Sequence, residues 1–128
     1  MNLAIDIGNT LAKLAIIDGG QVVDFLKTEQ IDTAYIEKLL KANPGIDAAV
    51  IVSTPQQVAV ADVVRGVEMF RNENVNIPVA GVIENMAWFT PEELPENRYY
   101  IFGKGGARRY AEENGVDFLG EIPIVQSI

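Results

Sequence analysis

The strongest constraint on the fold comes from two short apolar segments, residues 48–52 and 79–83, that do not alternate with polar residues. A strand with one face in water alternates apolar and polar side chains, whereas a strand covered on both faces does not. The segment between them carries apolar residues at helical spacing, namely Val60, Val63, Val64, Val67 and Phe70. The pattern predicts parallel strands joined by an amphipathic helix, the repeating unit of an α/β sheet.

The N-terminal part of the chain predicts three sequential strands joined by tight turns. Residues 3–7 and 11–17 are mainly apolar, and a Gly-Asn pair separates them. Gly19 and Gly20 supply the positive φ angles of a hairpin into residues 21–26. These three strands are expected to form an antiparallel meander.

Helix and strand signals continue through the rest of the chain. Asp32 is a predicted helix N-cap, and Pro55 is expected at the first position of the next helix. Residues 84–97 are rich in proline and acidic residues and are predicted to form a loop. The remaining expected elements are a short strand or apolar anchor at 99–102, a helix at 106–114 and a last strand at 118–124.

This order, βββαβαβ followed by a loop and αβ, predicts a single α/β domain over residues 1–128. Right-handed crossovers after a meander predict three layers, with helices on both faces of a mixed sheet. Placing the first strand beside the fourth predicts the strand order 3-2-1-4-5-6. That order describes a ribonuclease-H-like architecture with an additional edge strand.

Composition excludes several kinds of site. The 128 residues contain no cysteine and no histidine, so they offer no thiolate and no imidazole base or ligand. A bound metal is therefore expected to be a hard ion such as Mg²⁺. The formal net charge of −8 argues against nucleic acid or an anionic membrane as a partner. Without a membrane-length apolar run or a signal-peptide pattern, the chain is predicted to be cytoplasmic.

A polar turn follows the first predicted strand, with Asp6, Gly8, Asn9, Thr10 and Lys13 in close succession. In these residues the N-terminal segment resembles type III pantothenate kinases, members of the sugar-kinase, actin and Hsp70 superfamily. The resemblance implies that the five residues contact ATP phosphates and that Asp6 holds Mg²⁺. A glycine turn lets backbone N–H groups approach phosphate, and lysine adds positive charge. The structural alternative is a plain hairpin turn, which Asn and Gly commonly form.

The later part of the chain resembles a different family. It is similar to the C-terminal half of Mrp-like P-loop ATPases, which are iron–sulfur carrier proteins. The resemblance implies that Asn85 contacts the adenine base and that Ile122 and Pro123 lie along it. The Walker A loop and the cysteine pair of that family are missing from this sequence. The stretches that carry the resemblance are residues 49–56, 81–91, 100–106 and 119–124.

Other polar features of this part are interpreted structurally. The glycine-rich stretch 103–106 superficially resembles a phosphate loop, but it lacks the Gly-Lys-Ser/Thr ending. It is interpreted as a flexible helix start, with weak anion binding at the helix N-terminus as the alternative. The glutamates within 92–96 are interpreted as a solvated face, and Trp88 as a packing residue.

Together these observations predict a chimera of residues 1–46 and 47–128, with a seam near 44–52. The predicted function is a recombined or designed α/β domain that is not an enzyme, because the Walker A loop, His and Cys are missing. The alternative is a residual nucleotide- or phosphate-binding module at the C-terminal edge of the sheet. A pantothenate kinase fragment ranks lowest.

The same reasoning predicts few ligands and partners. No cofactor is expected to be required, although Mg²⁺ with ATP is expected to bind weakly. Asp6, Glu84 and Glu121 are expected near the C-terminal edge, where they repel polyphosphate unless Mg²⁺ intervenes. An exposed edge of the last strand predicts a homodimer, and no iron–sulfur cluster is expected.

Overall fold

A computed structural model describes residues 1–7, 11–54, 57–101 and 103–125, which form six strands and three helices. Their order and the strand order β3-β2-β1-β4-β5-β6 confirm the predictions. In chain order the elements are β1 (Asn2–Ile7), β2 (Ala12–Asp18), β3 (Gln21–Thr28), α1 (Thr33–Ala42), β4 (Ala48–Ser53), α2 (Gln57–Arg71), β5 (Val79–Thr90), α3 (Gly106–Asn114) and β6 (Phe118–Val125).

The central strand β1 joins the antiparallel and parallel parts of the sheet. It pairs antiparallel with β2 and parallel with β4, so that Ile5 lies beside both Leu14 and Ile51. All three side chains are at most 1% exposed. Gly19 and Gly20 turn β2 into β3 with φ angles of +59° and +80°, which confirms the predicted hairpin.

The helix signals hold where the structure describes them. The Asp32 carboxylate accepts a hydrogen bond of 2.8 Å from the Tyr35 backbone N–H, as expected of an N-cap. In α2, Val63, Val67 and Phe70 are buried as the helical spacing predicts, whereas Val64 is 36% exposed and the prediction that it faces the core is wrong. Pro55 lies outside the described residues. Among the described helices, none is long and apolar enough to cross a membrane.

The described helices lie on one face of the sheet, and this corrects the prediction of three layers. α2 contacts both α1 and α3, and residues of all three helices share one core with the buried face of the strands. The reason is topological. The connections from β3 to β4 through α1, from β4 to β5 through α2 and from β5 to β6 through α3 all step in the same direction across the sheet. Right-handed crossovers in one direction put every helix on the same side.

The segment after residue 83 also differs from the prediction, because β5 continues to Thr90 where a loop was expected. An irregularity in the pairing between Asn85 and Phe89 lets the strand resume beside β6, with Phe89 opposite Ile124. Ladder hydrogen bonds to a neighbouring strand thus override a polar local sequence. The predicted strand at 99–102 is reduced to one antiparallel bridge between Phe89 and Tyr99, and Phe102 lies outside the described residues.

The opposite face of the sheet has no described helix over it. We call it the open face and define it by the strand positions that alternate with the buried ones. Its central positions are half-buried, while large apolar side chains at its two ends are exposed. Its apolar members include Ala4, Ala15, Ile17, Val22, Phe25, Ala48, Val50, Val52, Ile83, Leu119 and Ile122.

The contact between β5 and β6 gives a stability prediction at Gly81. A Cβ atom there would lie 2.4 Å from Leu119 Cγ and 2.8 Å from the Asp117 carbonyl oxygen. We expect Gly81→Ala to lower the free energy of unfolding by about 1–3 kcal/mol in urea denaturation, because an overpacked site must shift. Leu119→Ala should rescue only part of the loss, because the Asp117 oxygen belongs to the backbone.

Gly45→Ala is the matched control. Its Cβ would meet the end of the flexible Met1 side chain, which can move away. An unchanged stability in Gly81→Ala would mean that β5 and β6 are not packed as described.

Candidate functional site

The candidate site is the edge of the sheet at which the parallel strands β1, β4, β5 and β6 end or pass. Ligands of open α/β sheets bind outside the carboxyl ends of their strands. Because side chains alternate along each strand, this edge has an open-face side and a helix side. The side chains on these two sides differ in burial, charge and polarity.

On the open-face side the structure brings two pairs together. Asp6 lies directly opposite Lys13, and Asn85 lies beside Ile122. Only β4 separates β1 from β5, and Asn85 lies two residues beyond the β5 position level with Asp6, so Asp6 and Asn85 are about 12 Å apart at the usual strand spacing and rise. Pro123 follows Ile122 and is half-buried.

The predicted turn residues Gly8, Asn9 and Thr10 lie outside the described residues. The phosphate-binding role of these three residues therefore stays a prediction.

Asp6 is a partly buried ionisable group on the open-face side of this edge. Partial burial raises the pKa of its carboxyl, the Lys13 charge lowers it, and the nearby Asp62 charge raises it further. Two carboxylates with a lysine suit Mg²⁺, which proteins hold with one or two carboxylates plus phosphate oxygens and water. Among the described residues, no group of three or more His, Cys, Asp or Glu is arranged to hold a metal ion. A Mg²⁺ ion at Asp6 would therefore need ligands from a nucleotide.

The Asn85 side chain is oriented by its own backbone. Its carboxamide oxygen accepts a hydrogen bond of 2.9 Å from the Met86 N–H. Met86 has a φ of +53°, in the left-handed region that non-glycine residues rarely adopt. Backbone strain of this kind concentrates at ligand sites. This positive φ could not be read from the sequence, since no glycine marks it.

Glu84 dominates the helix side and was missed as an anchoring residue. Its side chain is 1% exposed, and its Oε1 accepts a hydrogen bond of 3.3 Å from the Ala107 N–H in the first turn of α3. Gly105, the N-cap of α3, forms no side-chain cap bond. Glu84 thus supplies from β5 the carboxylate that a helix N-terminus favours. No local sequence signal reveals a cap that comes from another element.

This arrangement decides between the two interpretations of the glycine-rich stretch. The N-terminus of α3 already holds a carboxylate, so the helix-start interpretation of residues 103–106 is favoured over anion binding.

The repulsion predicted from three edge carboxylates is smaller than expected. Burial raises the pKa of Glu84, while the Ala107 hydrogen bond lowers it, the Glu121 charge raises it and Arg108 lowers it. Glu121 is itself held by Arg108, with 2.6 Å between carboxylate oxygen and guanidinium nitrogen. Only Asp6 therefore faces the open side, where its partner is Lys13.

Residues 88–104, which follow Asn85 in the sequence, form a series of contacts between aromatic rings and cationic side chains. The Arg98 guanidinium lies 4.2 Å from the Trp88 ring centre, and the rings of Trp88 and Tyr100 are 6.4 Å apart. Lys104 Nζ lies 4.7 Å from the Tyr100 ring centre. Arg98 covers one face of the half-buried Trp88 ring, and the interpretation of Trp88 as a packing residue stays a prediction. The glutamates within 92–96 are exposed, as expected.

A cavity of about 440 Å³ lies at the opposite edge of the sheet. It is lined by the end of α2 and by the segments that enter β5 and β6, among them Phe70, Arg71, Pro78 and Asp117. None of the predicted site residues lines this cavity. Ligands bind at the carboxyl edge in this class of sheet, so geometry favours the edge over the cavity.

Glu84 gives a pH prediction. Its pKa is raised from the ordinary value of 4.5, so the folded protein holds this proton more tightly than the unfolded chain. The stability that this bound proton gives the folded protein is complete below pH 4.5 and is lost as pH rises through the folded pKa of Glu84. We therefore expect the native chain to lose stability relative to Glu84→Gln as pH rises above 4.5. The quantity to measure is the free energy of unfolding of the native chain minus that of the variant.

Urea denaturation between about pH 4 and pH 8 measures this difference. Glu112→Gln, which changes an exposed glutamate of α3, the helix that Glu84 caps, is the control for the loss of a carboxylate. A difference for Glu84→Gln that does not change with pH would contradict the burial of Glu84.

Comparison with known proteins shows the family. The sequence model of the ParA family, described as NUBPL iron-transfer P-loop NTPase, matches residues 29–128. The iron–sulfur cluster carrier protein of Aquifex aeolicus is 50% identical over 93 residues, which are 72% of this chain and 24% of that protein. The iron–sulfur cluster transfer protein NUBPL of Mus musculus is 39% identical over 113 residues, 88% of this chain and 34% of that protein.

A solved structure gives the same relationship. It is a nucleotide-binding protein from Archaeoglobus fulgidus in complex with ADP, with cobalt found in it. Its sequence is 34% identical and its TM-score is 0.58, over 71% of this chain and 36% of that one. This supports the α/β order and relates it to a nucleotide-binding protein rather than to ribonuclease H. The chain spans about a quarter to a third of the length of the curated relatives described above.

These comparisons show that several of the predictions from the sequence are wrong. One family match runs from residue 29 across the predicted seam at 44–52 to residue 128, so the chain is not a chimera and not a designed domain without function. These findings do not support a pantothenate kinase. The expectation of no iron–sulfur cluster is contradicted by the relatives, which are named for carrying or transferring such clusters.

The family match covers well over half of the chain, and the relatives and the solved structure agree with it. The strand order of the sheet and the polar residues at its carboxyl edge are consistent with nucleotide-binding proteins of this kind. This chain therefore belongs to the ParA family of NUBPL iron-transfer P-loop NTPases.

Proposed function

We propose that this chain binds a nucleotide at the carboxyl edge of its sheet and acts through it in iron–sulfur cluster transfer. The observation that carries the proposal is the likeness to an ADP-bound protein at 34% identity over 71% of this chain. The names of the relatives supply the cluster-transfer part of the proposal.

The base is expected to lie at Asn85. A carboxamide offers both a donor and an acceptor, which matches the paired donor and acceptor on the edge of adenine. The neighbouring Ile122 is 46% exposed and offers an apolar surface for the flat ring. Pro123, the next residue of β6, alternates to the helix side of the edge and is not assigned to that surface. A few oriented polar groups on an apolar surface are typical of small-ligand sites.

The phosphates are expected to point towards Asp6 and Lys13. Lysine supplies a point charge for a phosphate oxygen, and Asp6 a hard oxygen ligand for Mg²⁺. Because the Asp6 carboxylate and the phosphates are both negatively charged, a bound Mg²⁺ is needed to hold them close together. Gly8, Asn9 and Thr10 follow in the sequence and are proposed to add backbone N–H donors.

The proposal assigns limited chemistry to these 128 residues. They contain no G-x-x-x-x-G-K-[ST] motif, so hydrolysis is not assigned to them. Iron–sulfur clusters are held by cysteine thiolates, and the sequence contains none. The cluster is therefore treated as cargo, and no ligation step is assigned to this chain.

The base contact is tested by Asn85→Ala. We expect this change to weaken ADP binding about tenfold in titration calorimetry, which corresponds to about 1.4 kcal/mol of lost hydrogen bonding. Asn97→Ala is the matched control, because Asn97 is exposed and its side-chain amide donates a hydrogen bond of 3.2 Å to the Tyr99 hydroxyl. The absence of heat with millimolar ADP, or equal affinities for both variants, would overturn the nucleotide proposal.

The metal contact is tested by Asp6→Asn. In the native chain Mg²⁺ should strengthen ADP binding, and Asp6→Asn should remove that gain while adenosine binding stays unchanged. The gain should also decline as pH falls through the raised pKa of Asp6, because protons compete with Mg²⁺. Asp18→Asn is the control, since Asp18 is exposed at the opposite edge. A gain from Mg²⁺ that survives in Asp6→Asn would remove Asp6 from the site.

A further inference from the structure

The pairing of β5 with β6 is interrupted on both sides of the candidate base contact. In the part of the chain that the structure describes, three consecutive pairs keep one register there, namely Ile83 with Gly120, Glu84 with Glu121 and Asn85 with Ile122. The register shifts before Ile83 and again after Asn85. An irregularity disrupts the ladder locally, so the neighbouring pairs do not hold this short stretch in register.

Apolar burial does not explain the register of this stretch. The apolar set of a strand usually faces the core, and this sets the pairing. Here the charged Glu121 lies on the helix side with its side chain 25% exposed, while Ile122 is 46% exposed on the open-face side. A slip of β6 by one residue would exchange the two sides and bring a carboxylate beside Asn85. The observed register therefore depends on other contacts.

Helix α3 supplies contacts to both strands at one of these pairs. On β5, Glu84 Oε1 accepts a hydrogen bond of 3.3 Å from the Ala107 N–H. From the same turn of α3, an Arg108 guanidinium nitrogen lies 2.6 Å from a carboxylate oxygen of Glu121 on β6. The Arg108 guanidinium also lies 4.6 Å from the centre of the Phe118 ring. Charge-assisted bonds of this kind are among the stronger hydrogen bonds in proteins.

From these observations we propose that Glu84 and Arg108 are positioning residues for the base half of the nucleotide site. On the helix side, α3 holds Glu84 level with Glu121. Consecutive strand residues alternate between faces, so the next pair, Asn85 and Ile122, is fixed on the opposite side. The two positioning residues act through β5 and β6 and do not contact the base. The inference rests on the proposed binding of adenine at Asn85.

The two halves of the proposed site should respond differently when these contacts are lost. The base half lies on β5 and β6, against which α3 packs. The phosphate half, with Asp6 and Lys13, lies on β1 and β2, which pair with each other. Loss of a positioning contact should therefore weaken the binding of adenosine and spare that of pyrophosphate with Mg²⁺. A general loss of structure would weaken both.

The test titrates the chain separately with adenosine and with pyrophosphate plus Mg²⁺, followed by NMR chemical shifts. Glu84→Met keeps the side-chain length and removes the acceptor, and Arg108→Met removes the bond to Glu121. We expect each change to weaken adenosine binding about threefold to tenfold, the range of one lost hydrogen bond, and to leave pyrophosphate binding unchanged. Glu84→Gln should restore most of the adenosine affinity, because its amide oxygen still accepts from the Ala107 N–H.

Arg109→Met is the matched control. Arg109 is the neighbouring arginine of α3, but its guanidinium donates to the carbonyl oxygens of Gly105 and Lys104 at the start of the same helix. This variant should bind both probes as the native chain does. Far-ultraviolet circular dichroism checks the fold of every variant. The Arg108 side chain is 50% exposed, so Arg108→Met keeps the test valid even if Glu84→Met fails to fold.

The outcomes separate this inference from the nucleotide proposal. Adenosine binding that is unchanged in folded Arg108→Met overturns the inference and leaves the nucleotide proposal standing. Equal losses for adenosine and pyrophosphate also overturn it, because they indicate a general structural change. A native chain that does not bind adenosine overturns the assignment of the base to Asn85, and the inference with it.

Discussion

The architecture depends on one topological constraint, the direction in which the chain steps across its sheet. After β3 each crossover moves the same way, from β3 to β4, then to β5 and then to β6. Right-handed crossovers then stack α1, α2 and α3 on one face, where they bury Leu3, Ile5 and Ile51. The one-sided core follows from this constraint. The same constraint leaves the open face and places the parallel strand ends at one edge.

The pleat of the strands then places different side chains on the two sides of that edge. Glu84 and Asn85 are consecutive in β5, yet their side chains point to opposite faces. Glu84 is buried and anchors α3, whereas Asn85 stays at the open-face side beside Ile122. Burial on the helix side therefore removes a carboxylate from the region where a nucleotide phosphate would be repelled. A single strand both fixes a helix and orients a candidate ligand group.

The first 28 residues lie outside the family match but are part of the same folded unit. They supply β1, β2 and β3, and their side chains Leu3, Leu14 and Ile16 belong to the core that α1 and α2 complete. Because β1 pairs in register with β4, backbone hydrogen bonds join this segment to the matched region. The predicted single domain is consistent with this continuous six-stranded sheet.

The sequence by itself determined the element order, the strand order and the cap at Asp32, because these depend on local periodicity and turn chemistry. It also suggested Asp6, Lys13, Asn85 and Ile122 as site residues, although their roles stay predictions. Tertiary structure alone decided that the helices share one face, that β5 continues past Glu84 and that Glu84 caps α3. Each of these depends on which strands and helices become neighbours in space, and a pattern read along the chain does not contain that information.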